Sequence, residues 1–292
     1  MMKVLKMGVV GMGFVGSAVA SGFENGKTFQ MHVDPAVCPD EFTIRDLVEQ
    51  EMDVTFLCLP TPQTSEKYSN DVNVSIVDDV LNQLHGQEYK GLVVIKSSIT
   101  PGHLRRLVER YTDRALSPLR IVYNPEFLTE KNANHDFKNP FCQIIAGDNP
   151  EDCDELEHII RTYSQCAASP VYKTDLESAS LVKYALNSFY ATKVIFMNEL
   201  HRIHSKSGAK TTWDEFAKML NSDPRLGSSH LQVPGPDGQF GFGGNCFPKD
   251  TKALLHYAMQ EHSTDLSVLR SAVVKNVHVR ERRKNAEKKN NK

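Results

Sequence analysis

The sequence predicts an α/β fold, a doubly wound sheet followed by a helical domain with one long central helix. Three observations predict it. Short apolar runs alternate with helical stretches over residues 3–164. A glycine-rich turn joins the first run to the first helical stretch. From Thr174 to about Ser207 no Pro or Gly interrupts a helical spacing of apolar residues.

The elements follow in order. Lys3–Val10 is a nearly continuous apolar run, the pattern of a buried parallel strand. A helix is expected from Phe14 to Asn25, and a second strand over Phe29–Val33, ending at Asp34. Ile44–Glu51 reads as a helix and Asp53–Leu59 as a third strand, stopped by Pro60-Thr61-Pro62. Val74–Leu84 carries apolar residues at 76, 77, 80, 81 and 84, a helical face. Leu92–Ile95 is a strand, and Pro101-Gly102 turns it into a helix over 103–111. Arg120–Tyr123 is a strand ended by Asn124-Pro125, Cys142–Ala146 another, and Pro150–Ser164 a helix. The long helix then carries Leu181, Val182, Ala185, Leu186, Phe189, Val194, Ile195 and Met197 on its apolar positions and ends by Gly208. Shorter helices follow at Thr212–Leu220, Asp250–Gln260 and Leu266–Val279, with a Gly/Pro-rich loop over 223–248. The expected division is therefore 1–172 as the α/β domain, 173–279 as the helical domain and 280–292 as a basic, disordered tail.

Composition narrows the function. The 292 residues are 40% hydrophobic and 24% charged, enough apolar material for a core. No apolar run approaches the roughly 20 residues of a membrane span. The N-terminus runs straight into the first strand, with no signal peptide expected. Six cysteines, at 38, 58, 142, 153, 166 and 246, show neither a CxxC pair nor a His/Cys ligand spacing. Disulfides and metal are therefore not expected, and a reducing cytoplasm is. The net charge is −2, but residues 280–292 hold seven Lys/Arg against two Glu, so the rest of the chain is acidic. An acidic body argues against nucleic acid as a partner, and the tail reads as a solvated, frayed end.

Six motifs sit where chemistry is done. Gly11-Met12-Gly13-Phe14-Val15-Gly16 follows a strand and opens a helix. Gly11 permits the tight turn, Gly13 lets backbone approach a pyrophosphate, and Gly16 lets helix and strand pack. Asp34, at the end of the second strand, can accept from a ribose hydroxyl and would repel a 2′-phosphate. Together they predict a Rossmann-type site for NAD rather than NADP. Cys58-Leu59-Pro60-Thr61-Pro62 ends the third strand, where prolines stiffen a loop beside the cofactor or simply stop the strand. Lys96-Ser97-Ser98-Ile99-Thr100-Pro101-Gly102 offers small hydroxyls to a water or the cofactor, or else a helix N-cap. In Asn124-Pro125-Glu126-Phe127-Leu128-Thr129-Glu130, two carboxylates share a face if the segment is helical. Either one is a general base or both are solvated acids on a turn. Lys183 and Asn187, four residues apart on the long helix, can stabilise an oxyanion, or Lys183 simply snorkels. Finally, Gly241-Phe242-Gly243-Gly244-Asn245-Cys246-Phe247-Pro248-Lys249-Asp250 places a cysteine just before a helix expected at Asp250. The helix N-terminus and Lys249 both favour a thiolate there. The other cysteines read as core or surface residues.

In this order, these motifs resemble the UDP-glucose/GDP-mannose dehydrogenases, over nearly the whole chain to about residue 280. The resemblance implies oxidation of the C6 alcohol of a nucleotide-linked hexose, UDP-glucose by default, to a carboxylate with two NAD and no metal. It implies that Cys246 is the nucleophile, passing through a thiohemiacetal and a thioester. By the same resemblance Lys183 and Asn187 stabilise oxyanions, Glu126 is an acid/base and Asp250 positions or activates water. Glu130, Ser98 and Lys249 fall where the family contacts cofactor, as do Phe14, Val15, Pro60 and Thr61. Arg225, Phe127, Leu128 and the loop Phe240-Gly241-Phe242-Gly243 match positions near the sugar nucleotide. The family builds a homodimer on its long helix. Three departures stand out: Ser98 replaces a common Thr, Gly235-Pro236-Asp237-Gly238 makes an extra turn, and the second α/β domain that covers the nucleotide is missing or supplied by a separate chain. A dehydrogenase of a smaller sugar or a hydroxy acid, and a non-catalytic NAD-binding dimer module, are the alternative expectations.

Overall fold

Seven strands form one sheet, in the order β2-β1-β3-β4-β5-β6-β7. They are β1 (Leu5–Val10), β2 (Thr28–Val33), β3 (Val54–Leu57), β4 (Leu92–Ile95), β5 (Arg120–Tyr123), β6 (Gln143–Ala146) and β7 (Val171–Thr174). All neighbours are parallel except β5 and β6, which meet antiparallel at Tyr123 and Ala146. This computed structural model describes residues 3–37, 42–64, 70–113 and 117–290, with side chains to Glu281.

The strands are short and continuously apolar because both faces of the sheet are covered. Adjacent residues go to opposite cores. Val10, Leu57 and Ile95 pack with α2 (Ile44–Glu49), α3 (Ser75–Gly86), α4 (Pro101–Thr112) and the start of α7 (Leu176–His204). Val9, Phe56 and Val94 pack with α1 (Phe14–Gly22), α5 (Ala133–Lys138) and α6 (Pro150–Tyr163). β1 has β2 on one side and β3 on the other, so the winding reverses between β1 and β3. Ligands of doubly wound sheets bind at the carboxyl ends of the strands beside such a reversal.

The chain divides into two units, Met1–Pro62 with Val72–Lys183, and Gln63–Asp71 with Tyr184–Lys292. The first holds the sheet. The boundary expected after residue 172 falls inside β7, which pairs with β6 through four residues. The second unit holds the rest of α7 with α8 (Trp213–Leu220), α9 (Cys246–His262) and α10 (Ser267–Asn290). One of its cores joins Ala191, Ile195, Phe242 and Ala272, and another joins Met197, Trp213, Leu231 and Val233. Backbone of the expected disordered tail is helical to Asn290, as the last turns of α10. Among the described residues, no helix is long and apolar enough to cross a membrane, and no group of His, Cys, Asp or Glu is arranged to hold a metal ion.

Candidate active site

In the first unit, the turn after β1 is shaped by three glycines with three different constraints. Gly11 has φ +90°, and a Cβ there would lie 2.6 Å from the Cys58 carbonyl oxygen. A Cβ at Gly16 would lie 1.8 Å from the Gly11 oxygen. A Cβ at Gly13 meets nothing within 4 Å, so that side of the turn is open. Gly13 is also the N-cap of α1 and gives it no side-chain cap. Unbonded first-turn N–H groups, the positive end of the helix dipole and a bare backbone fit a pyrophosphate. Phe14 is exposed and Val15 half-buried at the start of α1. Asp34 follows β2 as expected, with Oδ2 accepting from Met12 N–H at 2.7 Å and Oδ1 from Ala36 N–H at 2.9 Å. Its carboxylate therefore fixes the turn itself, and its remaining lone pairs can take a ribose hydroxyl.

The loops after β3, β4 and β5 are tied to one another. Thr61 Oγ1 donates to the Ser98 carbonyl at 2.8 Å, and Ser97 Oγ bonds both N–H and carbonyl of Leu59. Pro60 is exposed and Ser98 half-buried. The N-cap of α4 is Thr100, with no side-chain cap, and Pro101 is its first residue. Burial pushes the Cys58 thiol, next to this loop, up to about 12. Burial also raises the thiols of Cys142, Cys153 and Cys166, while Cys38 lies outside the described residues.

Glu126 and Glu130 do not share a helical face. Residues 124–129 are irregular, and Glu130 begins a single 3-10 turn, exposed, whereas Glu126 is 8% exposed. Lys183, 4% exposed, donates from Nζ to the Glu126 carbonyl at 2.6 Å and to its Oε1 at 3.0 Å. Glu126 Oε2 accepts from Leu128 N–H, and the Phe127 ring lies 5.6 Å from Lys183 Nζ. Two buried, hydrogen-bonded opposite charges form a pair whose disruption leaves one charge stranded. Phe127 and Leu128 line a cavity of about 250 Å³ with Lys96, Glu126, Asn139 and Gln143.

In the second unit, Asp250 is fully buried. Its Oδ2 accepts from Asn187 Nδ2 at 2.6 Å and its Oδ1 from Lys249 Nζ at 2.6 Å. Lys249 is thus paired with its neighbour. Cys246 is not ahead of the helix but is the first residue of α9, so Asp250 stands one turn further along the same face. The Asn245 N-cap supplies no side-chain cap, which leaves the dipole end of α9 facing the thiol's own turn. Arg225 is exposed and donates from Nε to Asp223 Oδ1 and from Nη2 to Asp223 Oδ2. Phe242 is a core residue, 4% exposed, rather than a loop side chain open to ligand. Phe240 is partly exposed, edge-on to His201. Gly241 and Gly243 face Asn276 and Arg280.

Two lysines not singled out from sequence shape these loops. Lys96, 5% exposed, donates to the Asn124 carbonyl and Oδ1, and burial pushes its ammonium below its ordinary range. Asn124 in turn donates to the Ile144 carbonyl, tying β4, β5 and β6 just ahead of Glu126. Lys193, 8% exposed, donates to the Leu226 and Gly227 carbonyls beside Arg225. A lysine at the end of an apolar strand or inside an apolar helical stretch was the available signal.

With this geometry in place, the chain can be set beside known proteins. The NAD binding domain model of the UDP-glucose/GDP-mannose dehydrogenase family matches residues 40–165, and its central domain model matches 177–278. Gly11–Gly16 lies ahead of both stretches. The chain is 32% identical over 227 residues to a UDP-glucose 6-dehydrogenase of Bacillus subtilis, covering 76% of this chain and 48% of that protein. It is 33% identical over 229 residues to a UDP-glucose 6-dehydrogenase of Rickettsia conorii, covering 78% and 49%. The chain thus spans about half the length of the curated relatives it matches. Among solved structures it is similar in fold to a UDP-glucose dehydrogenase from Pyrobaculum islandicum, with a TM-score of 0.81 at 23% identity, covering 95% of this chain and 69% of that one. It is also similar to a Mycobacterium tuberculosis 3-hydroxyisobutyrate dehydrogenase, with a TM-score of 0.70 at 14% identity, covering 94% and 92%.

Proposed function

Because the chain belongs to the UDP-glucose/GDP-mannose dehydrogenase family, we propose that it oxidises the C6 alcohol of a nucleotide sugar, UDP-glucose first, to the carboxylate. NAD, when bound, accepts a hydride in each of two oxidations. The observation that carries the reading is the fully buried Asp250, bonded to Asn187 and Lys249 one helical turn from Cys246. A buried, bonded carboxylate beside a cysteine at a helix start is an arrangement for handling a thioester and water.

The residues divide the work as follows. Gly11, Gly13 and Gly16 seat the cofactor's diphosphate, and Asp34 takes the ribose. The Glu126–Lys183 pair relays the proton lost by the alcohol, since Nζ and Oε1 are within a hydrogen bond of each other. The Cys246 thiolate adds to the aldehyde carbon as the C=O π bond opens to an oxyanion. That oxyanion takes back the proton removed in the first oxidation and gives a thiohemiacetal whose C–H hydrogen can leave as hydride, the hydroxyl proton being lost with it. Loss of that hydride leaves a thioester. Water held by Asp250 adds to the thioester carbonyl, the C–S bond breaks, and the carboxylate product leaves with the thiolate restored. Lys183 and Asn187 offer N–H donors to the oxyanions along the way. A reducing compartment such as the cytoplasm suits a mechanism that runs on a thiol.

NADH production with a panel of nucleotide sugars tests the proposal, with Cys246→Ser in parallel. Two NADH per UDP-glucose, and no completed oxidation in the variant, is the expected result. A folded, NAD-binding chain that yields no NADH from any nucleotide sugar, or yields it only from a smaller hydroxy acid, overturns it.

The same reading includes a homodimer built on α7. Val182, Phe189, Phe196 and Ile203 are exposed on that helix at intervals of seven, the repeat of a helix-pairing seam. Light scattering on the intact chain should give twice the monomer mass, and Phe196→Asp should halve it. A monomeric parent chain removes this part of the proposal.

A further inference from the structure

The glycine-rich stretch ahead of Cys246 is gripped by α10. Asn276 accepts from Phe242 N–H at 2.7 Å and donates to the Phe242 carbonyl at 3.0 Å. Arg280 Nη2 donates to the Gly241 carbonyl at 2.9 Å. Asn198 of α7 accepts from Gly241 N–H at 3.0 Å. The Phe242 ring is packed against Ala191, Ile195 and Ala272. A Cβ at Gly241 would lie 2.4 Å from Asn276 Oδ1, and one at Gly243 would lie 2.8 Å from Arg280 Nη2. These two glycines make room for the grip.

The other edge of the Arg280 guanidinium reaches the extra turn. Nη1 donates to Asp237 Oδ2 at 2.7 Å and to Gln239 Oε1 at 2.9 Å. Gly238, at φ +70°, and the Gly235–Gln239 backbone bonds close that turn so that both acceptors face one nitrogen. A guanidinium is a planar fork, so fixing one arm fixes the direction of the other. Only Gly244 and Asn245 separate the gripped residues from Cys246, and a Cβ at Gly244 meets nothing within 4 Å. The gripped segment thus sets where the chain enters the turn that leads to Cys246.

We propose that Arg280, steadied by Asp237 and Gln239 of the extra turn, is a positioning residue for the loop that presents Cys246. The extra turn and the first residue of the basic segment then form a single device. The proposal rests on Cys246 being the working thiol, but its test does not depend on turnover.

The test is the rate at which iodoacetamide alkylates each cysteine of the full chain, followed peptide by peptide in mass spectra. Arg280→Ala should change the Cys246 rate by about threefold or more, as expected for losing charged hydrogen bonds. Asp237→Asn should move it less and in the same direction, and Arg280→Lys should fall between Arg280→Ala and the parent. Buried Cys142 and Cys153 should keep their parent rates. A Cys246 rate unchanged in Arg280→Ala overturns the proposal. If Arg280→Ala raises all thiols together, Asp237→Asn decides: a change confined to Cys246 supports the proposal, and no change or a general rise overturns it. Loss of NADH production from every nucleotide sugar with this alkylation pattern intact would remove the enzymatic reading and leave the positioning role standing.

Discussion

The chain contains two glycine-rich turns that look alike as sequence and differ as structure. Gly11–Gly16 and Gly241–Gly244 each lead into a helix whose N-cap lacks a side-chain bond. At Gly13 a side chain would point into empty space, whereas at Gly241 and Gly243 it would strike Asn276 and Arg280. The first turn leaves one side of its backbone open at Gly13. In the second, the protein itself occupies the room at Gly241 and Gly243, whereas Gly244 is open and needs its glycine for φ +74°. A run of glycines therefore announces close approach, without saying to what.

The largest effect that separates the two turns is on stability. Gly241→Ala must hold φ +76° and push Asn276 away from Phe242, and should cost about 3 kcal/mol in a urea titration. Gly13→Ala should leave the same titration within about 0.5 kcal/mol of the parent. Equal losses at both positions would erase the distinction. Next in size is cofactor binding. Gly13→Ala should weaken NAD by about tenfold, ~1.4 kcal/mol, in a fluorescence titration, while Gly241→Ala, where still folded, should bind NAD as the parent does. Smaller again is Asp34→Asn. The amide retains one acceptor oxygen for Met12 or Ala36 but not both, and NAD should weaken about fivefold, roughly 1 kcal/mol.

The smallest expected effect is acid sensitivity, and it belongs to the second unit. Burial holds His201 and His230 below the ordinary histidine value of 6.5, with His204 and Lys193 adding to the shift. Both are neutral in either state above that value, so they contribute no slope there. Below it the unfolded chain takes up protons that the folded side chains refuse, and stability falls as pH drops towards their folded values. His201 lies edge-on to Phe240, at the head of the second turn. The urea midpoint should therefore decline between pH 6.5 and 5.5, and His201→Gln with His230→Gln should flatten that decline. A slope identical in the double variant would show that other groups carry it.

Much of the fold was legible because each strand is bracketed by residues that end it. Leu92–Ile95 and Arg120–Tyr123 match the sequence reading residue for residue. β7 was not legible: Val-Tyr-Lys-Thr is a half-exposed edge strand and lacks the apolar continuity of its neighbours. α5 has a single buried residue, Phe137, too little to show a period. α9 starts at Cys246, a turn ahead of the Asp250 start expected from the sequence, and takes Pro248 into its first turn. Pro248 is the third residue of the helix, where a backbone N–H would have had no partner in any case. At the site, Glu126, Lys183, Asn187 and Asp250 stand out through the resemblance to the family; residue type and spacing alone leave Glu126 and Lys183 an ordinary structural reading and do not mark Asp250. Their pairing was not legible, because Lys183 reaches Glu126 across 57 positions and Asn187 reaches Asp250 across 63. Arg280 was hidden for a further reason. It begins a basic run, and charge composition gives no hint that its first member is anchored.

The bonds around Glu126 also limit how many acceptors its partner can serve. A lysine ammonium has three N–H bonds, and Lys183 gives two of them to Glu126, one to the main chain and one to the carboxylate. One remains. Asn187 has two amide hydrogens and gives one to Asp250, so one remains there as well. Each side chain can therefore bring one further N–H to an acceptor while it keeps the bonds it already makes. A second new acceptor at either residue would have to displace a bond that already holds Glu126 or Asp250 in place.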